Sequence, residues 1–147
     1  MSEAIAVAPR RTWDELREEV QARTDRQVYP MTGMRSEDVR IILSRIGSLD
    51  RDEWGQSWSD MGREWMRRGE SLQSTDRAKA AQAFLMAWRY ASFGGWPIAI
   101  TPKKRASYEL SLDAFRRYGA LLPQPIETIQ VPMDGASLTV YLQLPQR

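Results

Sequence analysis

The chain has 147 residues, 42% hydrophobic and 27% charged, which fits one ordinary domain or a domain with a short appendage and excludes wholesale disorder. It contains neither Cys nor His, so disulfides, thiolate nucleophiles, Cys/His zinc sites and every triad that turns on a histidine base are excluded within these residues. Lys plus Arg is 21 against 19 for Asp plus Glu, and this net charge of +2 is not gathered into the basic face that a nucleic acid needs.

At the start, Ala4-Ile5-Ala6-Val7-Ala8 is too short for a signal-peptide core and lacks a basic leader. No run approaches the ~20 apolar residues of a membrane span. The expectation is a cytoplasmic chain without membrane contact. Thr12, with Glu15 as its capping-box partner, predicts a helix to about Ala22. The stretch from Arg23 to Arg35 holds Tyr29-Pro30 and Gly33 and reads as loop. A second helix is predicted from Ser36, with Val39, Ile42, Leu43 and Ile46 at helical intervals and Gly47 as its stop.

Asp50, with Glu53 beyond it, opens a third helix that runs to about Gly69. Trp54, Trp58, Met61 and Trp65 fall within a stripe roughly 60° wide on that helix, with Gln56, Ser59, Arg63 and Arg67 on the far side. Gly55 and Gly62 lie beside the stripe, where each costs about 1 kcal/mol against Ala, so another surface is expected to approach closely there. A fourth helix is predicted from Thr75-Asp76 to just before Gly94-Gly95. Its apolar face, Ala80, Phe84, Ala87 and Ala91, is widened by Ala81, Leu85 and Trp88, leaving a narrow polar side of Lys79, Gln82 and Arg89. A helix apolar most of the way round is one buried between layers, and the reading is that this chain lacks one of those layers itself.

A turn-rich link, Gly94 to Pro102, leads to a fifth helix from Lys103 to Ala120 with Tyr108, Leu112, Phe115 and Gly119 on one face. Lys103, Lys104 and Arg105 read as its solvated start. Pro123 and Pro125 end it, and the period then becomes alternating: Ile129 and Val131 in one strand, Leu138, Val140, Leu142 and Leu144 in the next. Met133-Asp134-Gly135-Ala136 between them is a hairpin signal, because Gly135 tolerates positive φ. The residues predict a mainly α chain of about five helices followed by a C-terminal β-hairpin.

Little here carries chemistry. Gly55-Gln56-Ser57-Trp58-Ser59 imitates a nucleophile elbow but has Ser59 in place of the last glycine and lies in a helix, where the elbow needs a strand leading into it. Asp50, Asp52 and Glu53 read as helix-start charges facing the dipole. There is no phosphate-binding loop, EF-hand or dinucleotide fingerprint, so no cofactor and no metal is expected. Six Trp residues at helical spacing suit a bundle core, or alternatively a surface for bases or sugars.

From Asp50 to Pro145 the order of elements resembles the start of a group of α/β hydrolases. The resemblance runs through the Trp-rich helix, Ala80-Ala81-Gln82-Ala83-Phe84-Leu85-Met86-Ala87-Trp88-Arg89-Tyr90-Ala91, the helix with Tyr108 and Phe115, and Val131-Pro132-Met133-Asp134-Gly135. The group includes 2,6-dihydropseudooxynicotine hydrolase, the fermentation/respiration switch esterases and fungal polyketide-shortening hydrolases. The resemblance implies an N-terminal helical extension over residues 1–49, a helical cap over 50–122, and over 123–147 a hairpin that begins an incomplete α/β hydrolase core. It further implies that Trp54, Trp58, Trp65, Phe84, Trp88 and Tyr108 are candidates to line a substrate pocket, with bundle core as the competing role of each.

The family's oxyanion loop, nucleophile elbow, acid and histidine all lie downstream of the second strand, and no residue here matches a catalytic position. The expected chain is therefore inactive alone. Its partner would be a downstream catalytic domain or a complementing chain, with a small-molecule substrate bound only in the complete enzyme, and a homodimer is the other partner to consider. The alternative, from a different class, is a free-standing helical interaction module whose apolar fourth helix binds another protein.

Overall fold

Five helices and a hairpin follow one another along residues 11–145, the part of the chain that the computed structural model describes. They fall into two compact units, Met1–Leu49 and Asp50–Arg147. The apolar stretch Ala4 to Ala8 lies outside the described residues.

In the first unit, α1 (Trp13–Asp25) starts where its capping box requires: the Thr12 hydroxyl accepts from the Glu15 N–H at 3.3 Å, and the Glu15 carboxylate accepts from the Thr12 N–H at 2.8 Å. It runs past the expected end at Ala22. Thr24, read from sequence as loop, is fully buried, and its hydroxyl donates to the Val20 carbonyl within the added turn. Residues 26–35 then reverse the chain, with positive φ at Gln27 (54°) and Gly33 (80°). The Gln27 side chain ties this loop by donating to the Thr24 and Met34 carbonyls and accepting from the Gly33 N–H. Helix α2 (Ser36–Ser44) buries Val39, Ile42 and Leu43 as expected but stops short of Gly47. Its last turn tightens, the Arg45 N–H reaching the Ile42 carbonyl at 3.1 Å, and Ile46 is buried just beyond the helix.

In the second unit, α3 (Arg51–Leu72) is capped by the Asp50 carboxylate, which accepts from the N–H groups of Asp52 and Glu53 at 2.8 and 2.9 Å. Asp76 caps α4 (Arg77–Gly95) through the Lys79 N–H. Helix α5 (Pro102–Leu121) begins with proline, whose missing N–H is lost without penalty in a first turn. All three helices touch one another, and α4 buries Ala80, Ala81, Ala83, Phe84, Met86, Ala87, Tyr90, Ala91 and Phe93. The layer that seemed absent from the sequence is present: α3 and α5 supply it.

Two faces differ from expectation for one physical reason. The buried residues of α3 are Gly55, Ser57, Trp58, Ser59, Met61, Gly62, Met66 and Gly69, so the stripe is buried at Trp58 and Met61 but the buried face extends well beyond it, over Gly55, Gly62, Met66 and Gly69. Ser59, expected on the far side, is 1% exposed, whereas Trp54 and Trp65 are half-buried at the shoulder. On α5, Lys104, Ser107, Ser111 and Ala114 face inward and Tyr108 is 50% exposed. The helices approach too closely for large side chains on these faces. A Cβ on Gly55 would lie 2.7 Å from the Lys104 backbone nitrogen. At Gly94 it would collide with the Ser107 hydroxyl and sit 2.8 Å from the Trp58 Cβ. Gly94 and Gly95, expected just beyond the helix, are instead its last two residues, buried and acting as spacers for α5.

The hairpin, β1 (Glu127–Met133) and β2 (Ala136–Leu142), is antiparallel with Ile129 opposite Val140 and Val131 opposite Leu138. The turn is Asp134-Gly135, with Gly135 at φ 72°. It is attached to α5 through Ile126, whose N–H donates to the Gly119 carbonyl at 3.0 Å, and through Tyr141, edge-on to Phe115 at 5.0 Å. Because side chains alternate, Tyr141 against α5 turns the Ile129, Val131, Leu138 and Val140 face the other way. Leu138 is 51% and Val131 39% exposed. The helices could have covered this apolar face; they do not.

Candidate functional site

The six residues singled out from sequence do not converge on one pocket. Trp54 and Trp58 meet at one end of the bundle, where the start of α3, the end of α4 and the start of α5 come together. Their ring centroids are 5.3 Å apart, Phe93 lies edge-on to Trp58 at 4.7 Å, and Trp96 stacks on Phe93 at 6.0 Å. The Trp54 indole N–H donates to the Phe93 carbonyl at 3.1 Å. Trp58 is fully buried, and its indole N–H meets no acceptor among the described residues. Tyr108 stands beside Gly95 at this end, half in solvent.

Trp65, Phe84 and Trp88 belong to a second cluster farther along the bundle. Phe84 is fully buried with Met66, Ala80, Ala81, Ala87, Ala114 and Leu121, and Trp65, Trp88, Leu110 and Tyr118 pack on that core. Arg68 lies over the Trp65 ring at 4.5 Å, and Trp88 meets Phe115 at 5.7 Å. An open groove of about 380 Å³ near this end is lined by residues that include Arg77, Ala81, Gln82, Tyr118, Leu121 and Pro123, and by none of the six. Its cation is already engaged, since the Arg77 guanidinium donates to the Leu121 and Ala120 carbonyls at 3.0 Å and closes the C-terminus of α5.

Sequence reasoning missed Lys104. Read as part of a solvated basic run, it is 6% exposed, while Lys103 and Arg105 on either side face water. Its Nζ donates to the Trp96 carbonyl at 2.8 Å, so it links the first turn of α5 to the end of α4. Burial, and then the nearby Arg51 charge, push its pKa below the usual lysine range. Across the same junction the Asp52 carboxylate accepts from the Lys103 N–H at 2.9 Å. The signal that finds Lys104 is its helical register with Ser107, Ser111 and Ala114, a stripe of small residues.

Ser57, in the elbow-like run, is buried inside α3, where no strand leads into it. Among the described residues no group of three or more acidic side chains is gathered as a metal site requires. The open surface is instead the hairpin: the apolar face described above, with Met133 58% and Leu142 37% exposed, and two strands that pair only with each other. No protein-family model matches the chain, and no curated protein matches it either.

Proposed function

We propose that the chain is the helical cap and the first two strands of a serine-type α/β hydrolase acting on an ester or on a carbon–carbon bond beside a ketone. It shapes the substrate pocket and leaves catalysis to a downstream domain or a complementing chain. The observation that carries this reading is the hairpin. Its apolar face is turned from its own helices and both outer edges are unpaired, which is the state of strands that belong to a larger sheet. Burial of α4 between α3 and α5 removes the free helical face on which an interaction-module reading would rest. Among the described residues no helix is long and apolar enough to cross a membrane, and a cytoplasmic address goes with the same proposal.

The test is complementation. The chain alone should not turn over a simple aryl ester above the rate of its Ser57→Ala variant. Added to a second chain that carries the rest of a hydrolase sheet with elbow and histidine, it should restore turnover, and a Val131→Lys/Leu138→Lys variant of unchanged helicity should not. A failure of every such catalytic chain to bind this hairpin would overturn the reading.

A further inference from the structure

Among the described residues of the second unit, the large apolar side chains left exposed outside the hairpin are Trp96, Ile98, Ile100 and Tyr108. They lie together at one end of the bundle, the first three in the link between α4 and α5 and Tyr108 in the second turn of α5. Trp96, Ile98 and Ile100 are 56%, 60% and 49% exposed. Ordinary surfaces scatter such side chains singly, and a contiguous group marks a place that another phase covers. The link is also held from behind. Trp96 stacks on Phe93, and Tyr108 stands against Gly95. The Trp96 carbonyl accepts from Lys104 Nζ at 2.8 Å, and the Ala99 carbonyl accepts from Arg105 Nε at 3.3 Å. Basic side chains of α5 thus satisfy these carbonyls without water, and Pro97 has no N–H to satisfy. A loop built this way can enter a less polar phase at a lower cost than one whose backbone depends on solvent.

We propose that residues 96–100, with Tyr108, are an interfacial anchor that seats this end of the bundle in the headgroup region of an anionic bilayer leaflet. Trp96 and Tyr108 supply the amphipathic rings suited to that depth, and Ile98 and Ile100 supply aliphatic area for the acyl boundary. Lys103 and Arg105, both exposed, follow directly after the link and bring positive charge to the lipid phosphates. The acids at this end are Asp50, Asp52 and Glu53, and the first two are turned to N–H groups at the starts of α3 and α5. The chemistry of the link selects lipid over other partners. Gly94 to Ile100 carries no charged side chain. A sugar or nucleoside bound on Trp96 would need hydrogen-bonding side chains beside the ring, and Pro97, Ile98, Ala99 and Ile100 offer none. The surface is also separate from the hairpin, which is attached through Phe115 and Gly119, about 20 to 25 Å along α5 from Pro102. The anchor therefore stands apart from the hydrolase reading. It departs from the sequence expectation of no membrane contact, which considers only spans and leaders; an interfacial loop needs neither.

The experiment is co-sedimentation of the full chain with vesicles of phosphatidylcholine alone and of phosphatidylcholine mixed with phosphatidylglycerol, at low and raised salt. The expected result is partition onto the anionic vesicles about tenfold stronger than onto the neutral ones, weakening as salt rises. Ile98→Ser/Ile100→Ser should lower that partition about tenfold at unchanged helical circular dichroism. Val131→Ser/Leu138→Ser, which takes two apolar side chains from the hairpin instead, should bind as the wild type does. Lys103→Gln, at an exposed side chain, should weaken binding to anionic vesicles several-fold, and it decides if the double isoleucine variant does not fold. No partition onto anionic vesicles, equal partition onto both kinds, or a loss confined to the hairpin variant would overturn the proposal. So would association of the chains with one another through this loop in place of lipid binding.

Discussion

Trp58 and Trp65 share a sequence stripe but not an environment. Trp58 is enclosed by Trp54, Tyr90 and Phe93, so Trp58→Ala should leave a cavity and lower stability by about 3 to 5 kcal/mol. Trp65 is half-buried under Arg68, and its truncation should cost about 1 to 2 kcal/mol. Urea midpoints at unchanged slope measure both, and equal losses would place Trp65 in the core after all. Trp58→Phe should cost less than Trp58→Ala, because it keeps much of the ring volume and removes a buried N–H that has no acceptor among the described residues. The sequence made the aromatic stripe legible but not its orientation. Hydrophobic periodicity points to where the large side chains lie, whereas here the closest packing is made by glycines and serines that carry almost no periodic signal. Lys104 was illegible for the same reason: its burial comes from the small residues that share its face, and its neighbours Lys103 and Arg105 gave it the look of a solvated run.

Helix starts were read correctly wherever the capping group is local. Thr12, Asp50 and Asp76 each satisfy N–H groups two or three residues ahead, a fact settled within one turn of chain. Helix ends were read well only where the stop is also local: α5 ends at Leu121, within a residue of expectation and just before its prolines, whereas α4 takes in Gly94 and Gly95 as its last two residues where α5 approaches, and α2 stops before its glycine. Asp50→Ala should therefore cost about 1 kcal/mol, a local effect. Gly94→Ala should cost more than the roughly 1 kcal/mol that alanine gains in an open helix, since its Cβ has Ser107 and Trp58 in the way. A double change with Ser107→Gly, which removes the nearest obstacle, should recover part of the loss. Equal stability of Gly94→Ala and wild type would mean the junction is looser than described. At Asp76 the Lys79 N–H, and then the Lys79 side chain, hold the carboxyl below its ordinary value. A folded pKa below the unfolded one stabilises above the unfolded pKa, near 4, and the contribution is lost as pH falls through the folded value. Replacement by Asn should flatten the fall of stability with pH below about pH 4. A curve of unchanged steepness would refute the assignment.

For the whole molecule the decisive element is the hairpin, whose two strands and turn follow from alternation and from Asp134-Gly135, although Leu144, read into the second strand, lies beyond its end at Leu142. Its placement does not, because alternation fixes which side chains share a face but not which face meets the helices. Attachment through Ile126 and the Tyr141–Phe115 edge contact turns the polar side of the hairpin toward α5 and exposes the apolar one. A two-stranded ribbon is marginal in water, and an exposed apolar face with open edges adds a tendency to pair with another chain. In dilute solution, amide exchange across residues 128–141 should therefore be fast compared with α3 and α4, and it should slow as concentration rises and chains associate. Substituting Lys for Val131 and Leu138, on neighbouring strands of the exposed face, should abolish that concentration dependence while leaving helical circular dichroism and the protection of α4 intact. Strong protection of the hairpin in a demonstrated monomer would mean that two strands suffice by themselves, and the argument that they belong to a larger sheet would lose its physical basis.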